Sequence, residues 1–198
     1  MTGKLDETFL KTLELAPGSV VVDCGASIGD TIEVFLEKGA VVHAFEPNPA
    51  AVRHLKERFA DAKDLTLYQK AVSDKNATAS FFLHEDLGPE TLKTANGSSL
   101  LDFKGNVNTA APVEVETIDL AEFLQSLDTK VTVLKIDVEG AELEVVNRLL
   151  DTGAYDVAEQ ILVETHERKI PELAERTEAL RKRIADMGLT DRINLEWH

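Results

Sequence analysis

The chain holds one cysteine, Cys24, so no intrachain disulfide can form and a reducing compartment is the natural setting. It has no apolar run approaching the ~20 residues that a membrane-spanning helix needs. The opening stretch MTGKLDETFLKTLEL mixes acidic with apolar residues and reads as an amphipathic helix rather than a signal peptide. The sequons at Asn76 and Asn96 then read as chance, and the expected location is cytoplasmic. Basic residues are also short: 21 Lys and Arg face 36 Asp and Glu, a formal charge of -15. That balance argues against a nucleic-acid or anionic-membrane partner. The one basic cluster, Arg181-Lys182-Arg183, sits in a helical pattern and reads as a solvated face. Internal repeats, low-complexity tracts and domain linkers are absent too.

What is present is ordinary for a folded protein, with 43% hydrophobic and 29% charged residues in a length that suits one domain over 1–198. Residues 1–17 are expected as an N-terminal helix. Strand-like runs then alternate with helical patterns. SVVVDC, AVVHAFE, LTLYQKAV, KVTVLKID and EQILVETH read as strands, and INLEWH as a last one. Between them, Thr31 to Glu37, NPAAVRHLKERFA, DLAEFLQSL and AELEVVNRLLDTG read as helices. PELAERTEALRKRIADMG adds another, with Leu173, Leu180, Ile184 and Met187 along one face. Over 75–117, ATASFFLHE and APVEVETI read as inserted strands around a polar loop. Repeated β-α units of this length imply an α/β fold, a mostly parallel, doubly wound sheet with helices on both faces. Ligands bind such sheets beyond the carboxyl ends of their strands, where strand order reverses.

The turn after the first strand admits two readings. Gly25-Ala26-Ser27-Ile28-Gly29 fits the G-x-S-x-G nucleophile elbow, and Ser27, Asp137 and His166 fall in the Ser…Asp…His order of α/β-hydrolases. Only 22 residues precede Asp23, however, which leaves little chain for upstream strands. No HGGG-like segment exists to supply an oxyanion hole, a large part of such catalysis. A cofactor seat is the better reading, with Ser27 as lining. Gly25 permits a tight turn, Gly29 opens the next helix, and exposed amides there can receive a carboxylate. Asp23 adds a negative charge suited to an ammonium. Together they suit the amino-acid end of S-adenosylmethionine (SAM). Glu46, seventeen positions beyond Gly29, ends the second strand where an acidic side chain accepts from both ribose hydroxyls. NAD would use the same contact, but the missing middle glycine disfavours a pyrophosphate. Ala71, Val72 and Ser73 end the third strand beside the expected adenine position.

These residues resemble the FkbM-type SAM-dependent methyltransferases. The likeness runs from about Val20 to about His166 and rests on VVDCGASIGDT, AFEPNP, KAVSD, NGSSL, VEVETIDL, LKIDVEGAELEVV and ILVETH. It implies a Rossmann-like class I methyltransferase fold and methylation of hydroxyls on sugars or natural products. S-adenosylhomocysteine (SAH) would be the product. The matching positions put Asp23, Gly25, Ala26, Ser27, Gly29, Thr31, Glu46, Pro47, Asn48, Ala71, Val72, Ser73 and Asp137 at the cofactor. Ser27 stands where the family often has Asn. Only 189–198 follow the last helix, room for one strand rather than a hairpin, so the C-terminal sheet edge is expected to be short.

A hydroxyl acceptor is poorly nucleophilic while protonated, so a base or metal should assist. Lys135, Asp137 and Glu139 alternate and share a face while the strand stays extended. Lys135 in so apolar a strand needs a charged partner, a structural alternative to contact with substrate. Asp137, at the strand end, is the leading catalytic residue, with Glu139 beside it. His166 has the pKa range of a proton acceptor, and Glu164 repeats the spacing at the end of ILVETH. Asn96, Ser98 and Ser99 are expected to face the site from the middle loop, as the FkbM likeness implies. Asp137, Glu139, Glu164 and His166 offer divalent-ion chemistry, but nothing in the sequence makes them converge and no metal is predicted. The alternatives are a non-catalytic nucleotide- or SAM-binding domain and an NAD-linked enzyme. No signal bears on oligomeric state.

Overall fold

The computed structural model describes residues 10–84, 98–105 and 107–196. Five β-branched-rich strands and a short sixth make one parallel sheet: β1 (Val20–Cys24), β2 (Val41–Phe45), β3 (Leu65–Tyr68), β7 (Val131–Ile136), β8 (Ala158–Val163) and β9 (Ile193–Asn194). Their order is β3-β2-β1-β7-β8-β9, so the direction of winding reverses between β1 and β7. A smaller sheet, β4-β6-β5, is built from β4 (Ala71–Ser73), β5 (Ala77–Phe81) and β6 (Val113–Asp119), with β5 antiparallel to β6.

Successive side chains on a strand point to opposite faces, and the core divides accordingly. Val21, Val42, Ala44 and Val133 pack with α1 (Asp30–Glu37) and α2 (Pro49–Arg58) on one face. Val22, Cys24, Phe45, Leu134 and Ile136 pack with α3 (Leu120–Ser126) and α4 (Glu142–Thr152) on the other. Burial pushes the Cys24 thiol well up, beyond ordinary reactivity. Local chemistry starts and stops the helices. Asn48 caps α2 through Ala50 N–H, with Pro49 in the first turn. Asp119 caps α3 through the amides of Ala121 and Glu122, and α4 ends at Gly153, whose φ of 75° suits glycine.

The Rossmann-like, doubly wound architecture is the one expected, with three differences of detail. LTLYQKAV is two strands, because the polar pair Gln69-Lys70 carries the chain from β3 in the large sheet to β4 in the small one. Helical backbone near the N-terminus ends at residue 12, ahead of Pro17, which a helix would not accommodate; residues 1–9 lie outside the described residues. On α5 (Ala174–Asp186) Leu180 and Ile184 are buried, but Met187, just past its end, is 41% exposed. The sheet edge is short as expected, since β9 has two residues. Among the described residues no helix is long and apolar enough to cross a membrane.

Candidate active site

Register lines up the carboxyl ends of the central strands. Cys24 lies opposite Phe45 and Ile136, and Ile136 opposite Val163. The next residue on each strand, Gly25, Glu46, Asp137 and Glu164, therefore stands in one row along the edge. Backbone bonds hold the row: Gly25 N–H donates to Phe45 O, Asp137 N–H to Cys24 O and Glu164 N–H to Ile136 O, at 2.9–3.0 Å. The reversal point between β1 and β7 falls at its centre.

Gly25 is required by this convergence. Its φ is 89°, and a Cβ there would lie 1.8 Å from the carbonyl oxygen of Asp137. The amides of the turn are largely committed: Gly25 and Ala26 donate to Phe45 O, Ser27 to Glu46 Oε2 and Gly29 to Ala26 O. These four amides are therefore spent within the protein. Asp23 is likewise inside the protein, fully buried, receiving Thr31 Oγ1–H at 2.5 Å and facing Lys135 Nζ at 3.1 Å. Lys135 also donates to Gly25 O and lies 3.5 Å from Asp137 Oδ2. Burial opposes its charge, but Asp23 and Asp137 outweigh burial and raise its pKa. Lys135 is thus buried and paired with Asp23, its ammonium holding the turn through Gly25 O.

Glu46 is the acidic group best placed beside the turn. Oε2 accepts from Ser27 N–H and Oε1 from Asn48 N–H, each at 2.8 Å. Each oxygen keeps a second lone-pair direction. Burial raises its pKa to about 7, with Asp23 adding and the two amides and Lys135 opposing. Asn48 spends its side chain as the α2 cap, and Pro47 is half-buried between the two. Ala71 and Val72 are buried in core clusters and only Ser73 of that trio is partly exposed.

A second group gathers beyond β7 and β8. Among the described residues, Asp137, Glu139 and His166 bring one potential ligand atom each within 4.8 Å of one another. His166 Nε2 lies 3.2 Å from Glu139 Oε2, 3.6 Å from Glu164 Oε1 and 3.7 Å from Asp137 Oδ1, with none in hydrogen-bonding geometry. Its other face is fixed by Glu142, whose Oε1 accepts from both His166 N–H and Nδ1 at 3.0 and 3.2 Å. Glu142 Oε2 accepts from Gly140 N–H. Burial alone would lower the pKa of His166, but Glu139 and Glu142 push it up to about 10. A charged imidazole cannot accept a proton, so without another cation in the group His166 serves as a positive partner. Burial raises Glu139, yet His166 and Lys104 hold it well below the usual carboxylate range. Asp137 keeps a quarter of its side chain exposed; burial, against Lys135, raises it to about 6, with Glu164 and Glu139 adding.

Glu139 itself has φ 55°, a conformation that non-glycine residues seldom adopt. The middle loop pins it: Ser99 Oγ–H donates to Glu139 O and Lys104 Nζ to Glu139 Oε2. Ser98 Oγ accepts from His84 N–H. Both serines are buried and internally bonded, Ser99 reaching the acidic group through Glu139 O and Ser98 bonding away from it to His84; Asn96 lies outside the described residues. The sequence reading missed Glu142 and Lys104. Glu142 could have been found, because it falls on the apolar stripe of Val145, Val146 and Leu149 where a carboxylate needs a reason. Lys104 is an isolated cation in a polar loop and carries no such signal.

Residues 23–189 match the family model described as the methyltransferase FkbM domain. The chain is 28% identical over 157 residues to the 2-O-methyltransferase NoeI of Sinorhizobium fredii, covering 72% of this chain and 62% of that one. It is 30% identical over 168 residues to the hexuronic acid methyltransferase AglP of Haloferax volcanii, covering 84% and 64%. The alignments thus span less than two thirds of either relative. A solved rRNA methylase from Streptococcus thermophilus aligns with a TM-score of 0.49 at 10% identity, over 93% of this chain and 79% of that one. The family match takes in the strand-end row, the glycine turn and the acidic group together, and the chain belongs to the FkbM methyltransferase family.

Proposed function

We propose that this protein transfers a methyl group from SAM to a hydroxyl of a sugar-like small molecule. Family membership supports methyl transfer, and the names of NoeI and AglP, a 2-O-methyltransferase and a hexuronic acid methyltransferase, support a sugar hydroxyl as acceptor. The net charge of -15 favours a small acceptor over a nucleic acid. The observation that carries the reading is Glu46, whose carboxylate is held by two backbone amides with one lone pair per oxygen left for a vicinal diol.

When bound, SAM supplies an activated methyl and leaves as SAH. The protein's own contribution is alignment, dehydration and proton removal. Glu46 grips the ribose, while Lys135 and Asp23 hold the turn beside it in shape. Asp137 is the carboxylate of the second group nearest the crevice and the most exposed of the three around His166 Nε2. It takes the proton of the acceptor hydroxyl, and the charged His166 keeps the neighbouring carboxylates compatible.

Calorimetry with SAH tests the cofactor half. Glu46→Ala removes two charge-assisted hydrogen bonds and is expected to weaken SAH by about tenfold or more. Tight binding that ignores the substitution rules out the ribose contact. Radiolabelled methyl transfer to a panel of uronic acids and glycosides tests the rest. SAH binding without transfer to any of them would favour a non-catalytic SAM-binding domain.

A further inference from the structure

We propose that Asp137, Glu139 and His166 form a binding site for a divalent first-row cation such as Mn2+, which would hold the acceptor oxygen. This rests on the methyltransferase reading for its use, but not for its existence.

Two independent observations point to a ligand. The first is the imidazole. His166 Nε2 is buried, aimed at three carboxylate oxygens, and makes no hydrogen bond. A buried ring nitrogen that makes no hydrogen bond is costly, and three anionic oxygens within 3.7 Å of it sharpen the demand for a shared positive centre. Bonds of about 2.1–2.4 Å meeting at right angles put neighbouring donor atoms about 3.0–3.4 Å apart. The three separations from Nε2, 3.2 to 3.7 Å, are close to that spacing without any cation to draw the atoms inward.

The second is Glu142. Metal-bound histidines commonly donate their other ring N–H to a carboxylate, which fixes the tautomer and makes the coordinating nitrogen more basic. Glu142 stands in that relation to Nδ1 at 3.2 Å, is fully buried, and is itself fixed by Gly140 N–H in the first turn of α4. The tautomer it imposes leaves the Nε2 lone pair facing Asp137 and Glu139.

Two carboxylates and one imidazole are an oxygen-rich set with a single borderline nitrogen, which suits Mn2+ or Zn2+ better than a thiolate-loving ion. Lys104 and Lys169, paired with Glu139 and Glu164, supply part of the balancing charge when no cation is present. Lys104 must swing off Glu139 Oε2 as the cation enters. With a cation bound, Asp137 would be a ligand and the cation would supply Lewis-acid polarisation of the acceptor hydroxyl. The neighbouring Glu164 carboxylate, outside the ligand set, would take its proton as the methyl is transferred.

Mn2+ titration of chelator-stripped protein, followed by electron paramagnetic resonance, tests this directly, with SAH affinity measured on the same samples. One Mn2+ per chain is expected. Glu139→Gln should weaken it more than tenfold, while Lys104→Met, which removes the competing ammonium, should tighten it several-fold. SAH affinity should be unchanged in both variants, and thermal melts check that both are folded. No Mn2+ binding with SAH still bound would overturn the cation site and leave the methyltransferase reading standing. Mn2+ binding indifferent to both substitutions would place the ion elsewhere and overturn it equally. Loss of SAH binding in the unsubstituted protein, with Mn2+ retained, would remove the methyltransferase reading alone.

Discussion

Glu142 exposes no surface, yet its carboxylate answers three N–H groups, from Gly140, the His166 backbone and the His166 ring. An ionised carboxylate survives such burial because these donors and the start of α4 replace water. Glu142→Gln keeps the shape but turns an amide NH2 toward one of those donors and removes the charge beside the imidazole. We expect a loss of about 3 kcal/mol in urea unfolding, and a loss below about 1 kcal/mol would show that the contacts carry little weight. Glu46 gives a pH prediction. Burial raises its pKa to about 7, with Asp23 on β1 and Lys135 on β7 as the charged groups acting on it. Only the carboxylate can accept from a diol with both oxygens, so SAH affinity should rise several-fold from pH 6 to pH 8 and flatten above. An affinity that falls over that range contradicts the ribose role.

Turns and caps decide whether each element delivers its residues. At the end of β1, Gly25→Ala would put a methyl group into the Asp137 carbonyl and force a Cβ onto a φ of 89°. We expect little soluble folded protein, read by expression and circular dichroism; a native melt would mean that β1 and β7 can separate at their ends. At the start of α3, Asp119→Ala removes two capping bonds and should cost about 1–2 kcal/mol in the same unfolding assay. Elements of this kind were legible in the sequence because period, cap and turn signals agree locally. Asn48-Pro49 opens α2, and Gly153 closes α4, where each was expected. The split of LTLYQKAV was not legible, since β-propensity says nothing about which sheet a strand joins. Nor was the inward turn of Ser98 and Ser99, whose partners His84 and Glu139 are 14 and 40 positions away. The order of Glu46, Asp137 and Glu164 at strand ends could be read in advance; the closure of Asp137, Glu139 and His166 about one point depends on a loop with φ 55° at Glu139 that no pattern announces.

Over the whole molecule, 36 acidic residues against 21 basic ones create a repulsion that compactness intensifies. Exposed ion pairs such as Arg58 with Asp30 and Glu33 oppose it, but each contributes about 1 kcal/mol or less. The imbalance should win, so the melting temperature is expected to rise as salt goes from about 0.01 M to about 0.15 M, where screening shortens from about 30 Å to about 8 Å. A fall would mean that the ion pairs dominate. Strand order brings the Glu46 turn and the Asp137 group to either side of the reversal point. The central claim is that a methyl donor bridges them. A crystal structure with SAH measures this most directly. The account predicts the ribose diol on Glu46 and the sulfur facing Asp137; a ligand seated elsewhere, or a crevice filled by packed side chains, would contradict it.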